Sequence, residues 1–144
     1  MSDTLRVHEI YLSLQGESTF AGLPCVFIRL TGCDLRCSYC DTAYAFIGGD
    51  TISMESILEQ VDRLAEGYPE PPLGELTGGE PLLQKETPAL LTALCDRGFT
   101  VLLETSGAHD ISVVDPRVHR IVDFKCPSSG ECEKNLAENI ANLR

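Results

Sequence analysis

The residues with the clearest capacity for chemistry are three cysteines in the run Cys33-Asp34-Leu35-Arg36-Cys37-Ser38-Tyr39-Cys40, spaced as CxxxCxxC. Three thiolates on one short loop can each take a separate iron of a cubane iron–sulfur cluster, which leaves the fourth iron without a protein ligand. An open iron implies a cofactor or substrate at that corner. The competing reading is zinc, but a structural zinc site wants four closed ligands, commonly in CxxC pairs, and no fourth Cys or His lies nearby in the sequence. Of the other cysteines, Cys25 and Cys95 sit in apolar patterns and read as small buried hydrophobes. Cys126 and Cys132, flanking Pro127-Ser128-Ser129-Gly130, leave metal binding or oxidation open.

Thr77-Gly78-Gly79-Glu80-Pro81 is the second group of interest, lying between an apolar strand pattern and a helix signal. Its glycines can bring backbone N–H and C=O groups against a polar ligand with no Cβ in the way. Arg29 interrupts an otherwise apolar strand, and a buried guanidinium needs a partner. A ligand carboxylate and a salt bridge to a nearby Glu both answer that need. Read from residue type alone, Gln15 and Glu17 fit a plain turn, Asp41-Thr42 a helix cap, and Asp123 with Lys125 a strand-end ion pair. His8, His109 and His119 show no ligand spacing, which favours surface or structural roles.

The elements that must position these residues follow from hydrophobic period. Val7 to Gln15 alternates as a half-buried strand, and Cys25 to Leu30 is a nearly continuous apolar run suited to a strand covered on both faces. Ser53 caps a helix with Ile57, Leu58, Val61, Leu64 and Ala65 on one face and Gly67 as its stop. Leu73 to Thr77 is a short strand. Thr87 as cap and Pro88 at the first helical position open a second helix, with Leu90, Leu91, Leu94 and Cys95 inward and Gly98 closing it. Val101 to Thr105 and Arg120 to Lys125 read as strands, and Glu133 to Leu143 as a last helix. Strands alternating with helices predict βαβ units, a parallel sheet and a ligand site at the C-terminal strand ends.

With 144 residues, 43% apolar and 23% charged, the chain is expected to form a single folded domain spanning residues 1–144. Its formal charge of −11 argues against gripping nucleic acid through phosphates. No apolar run approaches the length of a membrane span, and the N-terminus lacks the pattern of a signal peptide, so a cytoplasmic location is expected. In that compartment seven cysteines, an odd count, do not read as a disulfide framework.

CxxxCxxC followed by Gly78-Gly79-Glu80-Pro81 resembles the radical S-adenosylmethionine (SAM) superfamily, in which the cysteines hold a [4Fe–4S] cluster and the GGEP motif binds the SAM amino group. The fuller set is similar to the 7-carboxy-7-deazaguanine synthase family: Leu14-Gln15-Gly16-Glu17, Phe27-Ile28-Arg29-Leu30, Cys40-Asp41-Thr42, Thr77 to Pro81, Glu104-Thr105-Ser106-Gly107 and Asp123-Phe124-Lys125-Cys126-Pro127. The resemblance covers nearly the whole chain. It implies an α/β fold, a partial TIM-like barrel of the radical SAM type, here truncated at the C-terminus because the family continues with further strands beyond the position of Arg144.

The same resemblance implies a reaction and roles for residues. The reaction is rearrangement of 6-carboxy-5,6,7,8-tetrahydropterin to 7-carboxy-7-deazaguanine with loss of ammonia. Cys33, Cys37 and Cys40 would hold the cluster and Thr42 a Mg2+ ion, with Asp41 in support. Gly78, Gly79, Glu80, Glu104, Ser106, Asp123, Lys125 and Pro127 would bind SAM. Leu14, Gln15, Gly16, Glu17, Thr77 and Arg29 would meet the pterin, Arg29 at its carboxylate. A flavodoxin or ferredoxin reductant and a homodimer are also implied. The alternatives are a glycyl-radical-enzyme activase, which leaves Leu14 to Glu17 and Cys40-Asp41-Thr42 without a purpose, and a cluster-binding fragment without turnover.

Overall fold

The computed structural model describes residues 3–143; Met1 and Ser2 of the N-terminal stretch read above lie outside them, as does Arg144. Six strands form one mixed sheet: β1 (Thr4–Leu14), β2 (Pro24–Leu30), β3 (Asp50–Ser53), β4 (Leu73–Gly78), β5 (Thr100–Thr105) and β6 (His119–Val122), in the order β3-β1-β2-β4-β5-β6. The helices are α1 (Met54–Ala65), α2 (Thr87–Asp96) and the short α3 (Glu138–Ala141). Among the described residues no helix is long and apolar enough to cross a membrane.

The expectation of a parallel sheet holds for β2, β4, β5 and β6 and fails for the N-terminal part. β1 runs antiparallel to both β2 and β3. The physical reason is loop length: residues 15–23 close on themselves, with the Gln15 N–H on Leu23 O (2.9 Å) and the Gly22 N–H on Gln15 O (2.7 Å), which makes a hairpin where a crossover helix has no room. β3 carries little apolar signal and was not foreseen; it adds to the edge by pairing Leu5 with Ile52.

α1 forms as its sequence predicts. The Ser53 hydroxyl accepts the Ser56 N–H at 3.2 Å, Glu55 and Arg63 sit at the ends favoured by the helix dipole, and Ile57, Leu58 and Val61 are buried. α2 begins one residue earlier than expected, with Glu86 rather than Thr87 at the cap. The buried Thr87 hydroxyl instead donates to Pro81 O (2.5 Å), so it fastens the helix to the turn after β4.

Two C-terminal expectations are corrected. β6 stops at Val122, and the helix expected from Glu133 to Leu143 is a turn at Cys132–Lys134 followed by α3 alone. Asparagine side chains take the backbone partners that a longer strand or helix would use. Asn135 exchanges two hydrogen bonds with the Lys125 backbone (2.9 and 2.8 Å), while the buried Asn139 amide donates to Gly107 O and His109 O and accepts from the Ile111 N–H.

The sheet has two faces with different tasks. Val26, Ile28, Leu30, Leu76, Val101 and Leu103 pack against Ile57, Leu58 and Val61 of α1 and Leu90, Leu91 and Leu94 of α2 to form the main core. On the opposite face, strand register lines residues up in rows. Tyr11, Phe27, Glu75, Leu102 and His119 form one row; Glu9, Arg29 and Thr77 form the next, toward the C-terminal ends of the parallel strands, where Glu104 pairs with Ile121. Cys25, Phe27, Leu73 and Leu102, with Phe20 and Tyr11 against them, close the N-terminal end of this face. The polar residues of this face are therefore concentrated in the upper row, with Glu75 as an acid set in the lower one.

The turn after β4 depends on Glu80, which is fully buried. Its carboxylate accepts the Thr105 hydroxyl (2.7 Å), the Ser106 N–H (2.8 Å) and the Leu82 N–H (2.9 Å), so it joins the ends of β4 and β5. Replacing it by Ala leaves buried donors without partners. Glu80→Ala is expected to cost about 3 kcal/mol or more, read as a lower denaturation midpoint, whereas an unchanged midpoint would show that water replaces the carboxylate.

Candidate functional site

The C-terminal ends of the parallel strands open into a cavity of about 480 Å³. Cys33, Cys37 and Cys40 all line it. They sit on the loop after β2, which short contacts hold in place: the Ser38 N–H reaches Ser129 O (3.0 Å), the Ser38 hydroxyl reaches Ser128 O (2.6 Å) and the Arg36 N–H reaches Glu131 Oε1 (3.1 Å). The 126–131 segment is thus a brace for the cysteine loop. Cys126 itself is exposed, and Cys25 is buried with its thiol pushed up to about 12 by burial and then by Glu75.

Burial raises the Cys33 thiol above the usual range, with Glu80, Asp34 and Cys40 adding to the effect; burial also raises Cys37, against a lowering by Lys125. Such a site disfavours bare thiolates and is relieved by metal charge. Among the described residues no three His, Cys, Asp or Glu converge as ligands of one ion. A cube asks for something different, since each thiolate goes to its own iron. Three thiols on one cavity wall fit that requirement.

Gly78 and Gly79 face the same cavity, and their lack of side chains has a second cause beyond access for a ligand. A Cβ on Gly79 would lie 2.0 Å from Gly32 O, and one on Gly78 would lie 2.6 Å from Leu30 O. The turn is docked on the chain just before Cys33, and the Glu80 N–H completes the contact on Gly32 O (2.8 Å). Ser106, Glu104, Asp123 and Lys125 line the cavity from the ends of β5 and β6, with Lys125 Nζ 2.5 Å from Asp123 Oδ2. Glu80 and Pro127 do not line it: Glu80 is occupied as described, and Pro127 opens a turn behind the cysteine loop.

A smaller cavity of about 230 Å³ adjoins the first and shares Glu17, Asp41, Thr42, Thr77, Gly78 and Glu104 with it. Gln15, Gly16, Phe27, Arg29 and Glu75 complete its lining. Arg29 Nε pairs with Glu9 Oε1 at 2.8 Å, Nη2 donates to the Tyr11 hydroxyl (3.2 Å) and Nη1 to Gly78 O (3.4 Å). The salt bridge foreseen as one option for Arg29 is present, and the same side chain reaches the cavity. Burial opposes its charge, but Glu9 and Tyr11 outweigh burial and raise it further. Thr42 stands at the start of a helical turn without a side-chain cap; its hydroxyl is 3.4 Å from Gly78 O. Leu14, at 63% exposure, lies outside both linings.

Sequence reasoning missed Glu75, which is 1% exposed at the middle of β4. The signal was available, because Glu75 breaks the apolar pattern of Leu73 to Thr77 just as Arg29 breaks that of β2. Its carboxyl accepts the Gln15 amide at 3.1 Å. Burial first, then the charges of Glu104 and Glu17, push it from 4.5 up to about 7, against lowering by Gln15 and Arg29. Glu104 is raised too, by burial and then Glu17, although the Thr77 hydroxyl holds its Oε2 at 3.3 Å.

Because folded Glu75 keeps a proton that the unfolded chain releases, its cost to folding is absent below about pH 4.5, grows with pH, and is complete above about pH 7. Glu75→Gln cannot ionise. The variant is expected to gain stability over the native chain as pH rises from 5 to 8, on the order of 2 kcal/mol at pH 8, measured by denaturant unfolding. A gain that is the same at both pH values would show that Glu75 titrates as an ordinary carboxylate.

The family model described as the radical SAM superfamily matches residues 27–123. The chain is 51% identical over 136 residues to a 7-carboxy-7-deazaguanine synthase of Chlorobaculum tepidum, covering 94% of this chain and 60% of that protein. It is 47% identical over 140 residues to the synthase of that name from Koribacter versatilis, covering 96% and 60%. The crystal structure of QueE from Escherichia coli superposes with a TM-score of 0.80 at 25% identity, covering 97% of this chain and 68% of that one. The chain spans about 60% of the length of these two curated relatives. Its α/β sheet is a partial TIM-like barrel, and the chain belongs to the radical SAM superfamily.

Proposed function

We propose that this chain is the radical SAM core domain of a 7-carboxy-7-deazaguanine synthase, a lyase that converts 6-carboxy-5,6,7,8-tetrahydropterin to 7-carboxy-7-deazaguanine with loss of ammonia. The observation that carries the reading is the two-part cleft, in which a cavity bearing three free thiols adjoins one lined by Arg29, Gln15 and Glu17. The relatives that carry the synthase name support it.

When bound, a [4Fe–4S] cluster and SAM supply a 5′-deoxyadenosyl radical for hydrogen abstraction. The chain's own residues bind, orient and shield. Cys33, Cys37 and Cys40 hold the cluster, while Gly79 and Ser106 offer backbone groups and Glu104 a carboxylate to the amino acid and ribose of SAM. In the smaller cavity Arg29 faces the pterin carboxylate, while Gln15, Glu17 and Thr77 meet its ring edge. Thr42, shared by both cavities, is placed to ligate Mg2+ beside the substrate oxygens. The apolar plug of Phe27, Leu73 and Leu102 keeps water from entering from below.

In this reading the electron donor is a flavodoxin or ferredoxin, and the compartment is the cytoplasm. The protein is a homodimer, which would cover the sheet edge at β3.

Anaerobic reconstitution is expected to load iron and sulfide and to yield 5′-deoxyadenosine when the tetrahydropterin is present, with Cys37→Ala reducing both to background. 5′-Deoxyadenosine formed only with a protein partner would favour an activase. Stoichiometric zinc without iron or sulfide would overturn the reading.

A further inference from the structure

Gln15 has little freedom. Its backbone N–H and C=O are both used to close the loop at residues 15–23. Its side-chain Oε1 accepts the Glu17 N–H at 3.2 Å, and Nε2 donates to Glu75 Oε1 at 3.1 Å. An amide held by a donor on one side and an acceptor on the other has a single orientation, because a flip would set Nε2 against the Glu17 N–H and, once Glu75 is ionised, Oε1 against a carboxylate oxygen. Nε2 has a second hydrogen, for which the hydrogen bonds among the described residues provide no acceptor, and Gln15 lines the smaller cavity.

Glu75 is the fixed end of this arrangement. It is buried in β4, with Phe27 of β2 and Leu102 of β5 as its lateral neighbours, so it cannot turn away to solvent. Cys25 and Arg29 of β2, Glu104 of β5 and Glu17 of the loop after β1 provide the charged and titratable surroundings, with two acids facing one guanidinium that already pairs with Glu9. No part of the proposed chemistry uses Glu75, and its burial among acids is costly. Such a carboxyl needs a positional reason.

We propose that Glu75 is a positioning residue for substrate recognition: by holding the Gln15 amide in one orientation, it presents the remaining Gln15 N–H to an acceptor atom on the substrate ring in the smaller cavity. The inference rests on the reading that this cavity takes the pterin, whose ring carries carbonyl and nitrogen acceptors. It also links Glu75 to Glu17, since the Gln15 side-chain Oε1 that receives the Glu17 N–H is fixed by the same contact.

The test uses the cluster-loaded chain, with 6-carboxypterin as an unreactive binding probe, the tetrahydropterin for turnover and SAM affinity as the control for an intact fold. Glu75→Leu keeps approximate size and removes the acceptor. It is expected to raise KM for the tetrahydropterin and Kd for 6-carboxypterin about tenfold with kcat within about twofold, the effect of one misplaced hydrogen bond. Glu75→Gln retains an acceptor for Gln15 and restores both values. In the Gln15→Ala background Glu75→Leu adds nothing further, because the residue acts through Gln15. If Glu75→Leu does not fold, Glu75→Thr, suited to a strand, takes its place in the same cycle.

Equal affinity in native and Glu75→Leu proteins, or additive losses in the double variant, overturns the inference alone. A native chain that neither binds 6-carboxypterin nor forms 5′-deoxyadenosine with the tetrahydropterin overturns the functional reading, and this inference with it.

Discussion

The contact between the Gly-Gly turn and the chain entering the cysteine loop is the constraint on which the site depends. Gly79 lies so close to Gly32 that no side chain fits, and the Glu80 N–H seals the approach on the Gly32 carbonyl. The Glu80 carboxylate then reaches the opposite way, to Thr105 and Ser106 at the end of β5. One residue therefore fixes three loop origins relative to each other: after β2, after β4 and after β5. A buried carboxylate is expensive unless its oxygens are satisfied, and here three donors satisfy them.

The sheet carries this arrangement because its faces are specialised. The face under α1 and α2 is filled with branched aliphatic side chains and contributes stability. The other is apolar at the N-terminal end and polar at the C-terminal end, so Arg29, Thr77 and Glu104 stand on rigid strands rather than on loops. The cysteine loop, which no strand holds, is braced by Ser128, Ser129 and Glu131.

What was legible in the sequence follows this division. The cysteine spacing, the Gly-Gly-Glu-Pro turn, α1 with its Ser53 cap and the anomalous Arg29 were readable because each is a local pattern or a break in one. The hairpin of β1 and β2, the weak edge strand β3 and the unwinding of residues 133–143 were not, since they depend on which distant backbone groups a side chain meets. Asn135 and Asn139 look like ordinary helix positions until Lys125, Gly107 and His109 are brought beside them. Glu75 was overlooked although it breaks its strand as plainly as Arg29 does, and only the register that sets it between Phe27 and Leu102 shows how deeply it lies.

The charge of the cleft has its own logic. The larger cavity presents Glu17, Asp41, Glu104 and Asp123 against Lys125, and three thiolates would add to the negative side. Burial first, and the neighbouring acids after it, raise Glu104, Cys33 and Cys37 and disfavour their charged forms. In the proposed function, iron would offset the thiolates and SAM would bring a sulfonium and an ammonium group to the carboxylates. Binding both would then favour the charged forms that burial disfavours. The acidic character of the chain, unsuited to phosphate backbones, would at this site complement the cationic cofactor of the proposed function.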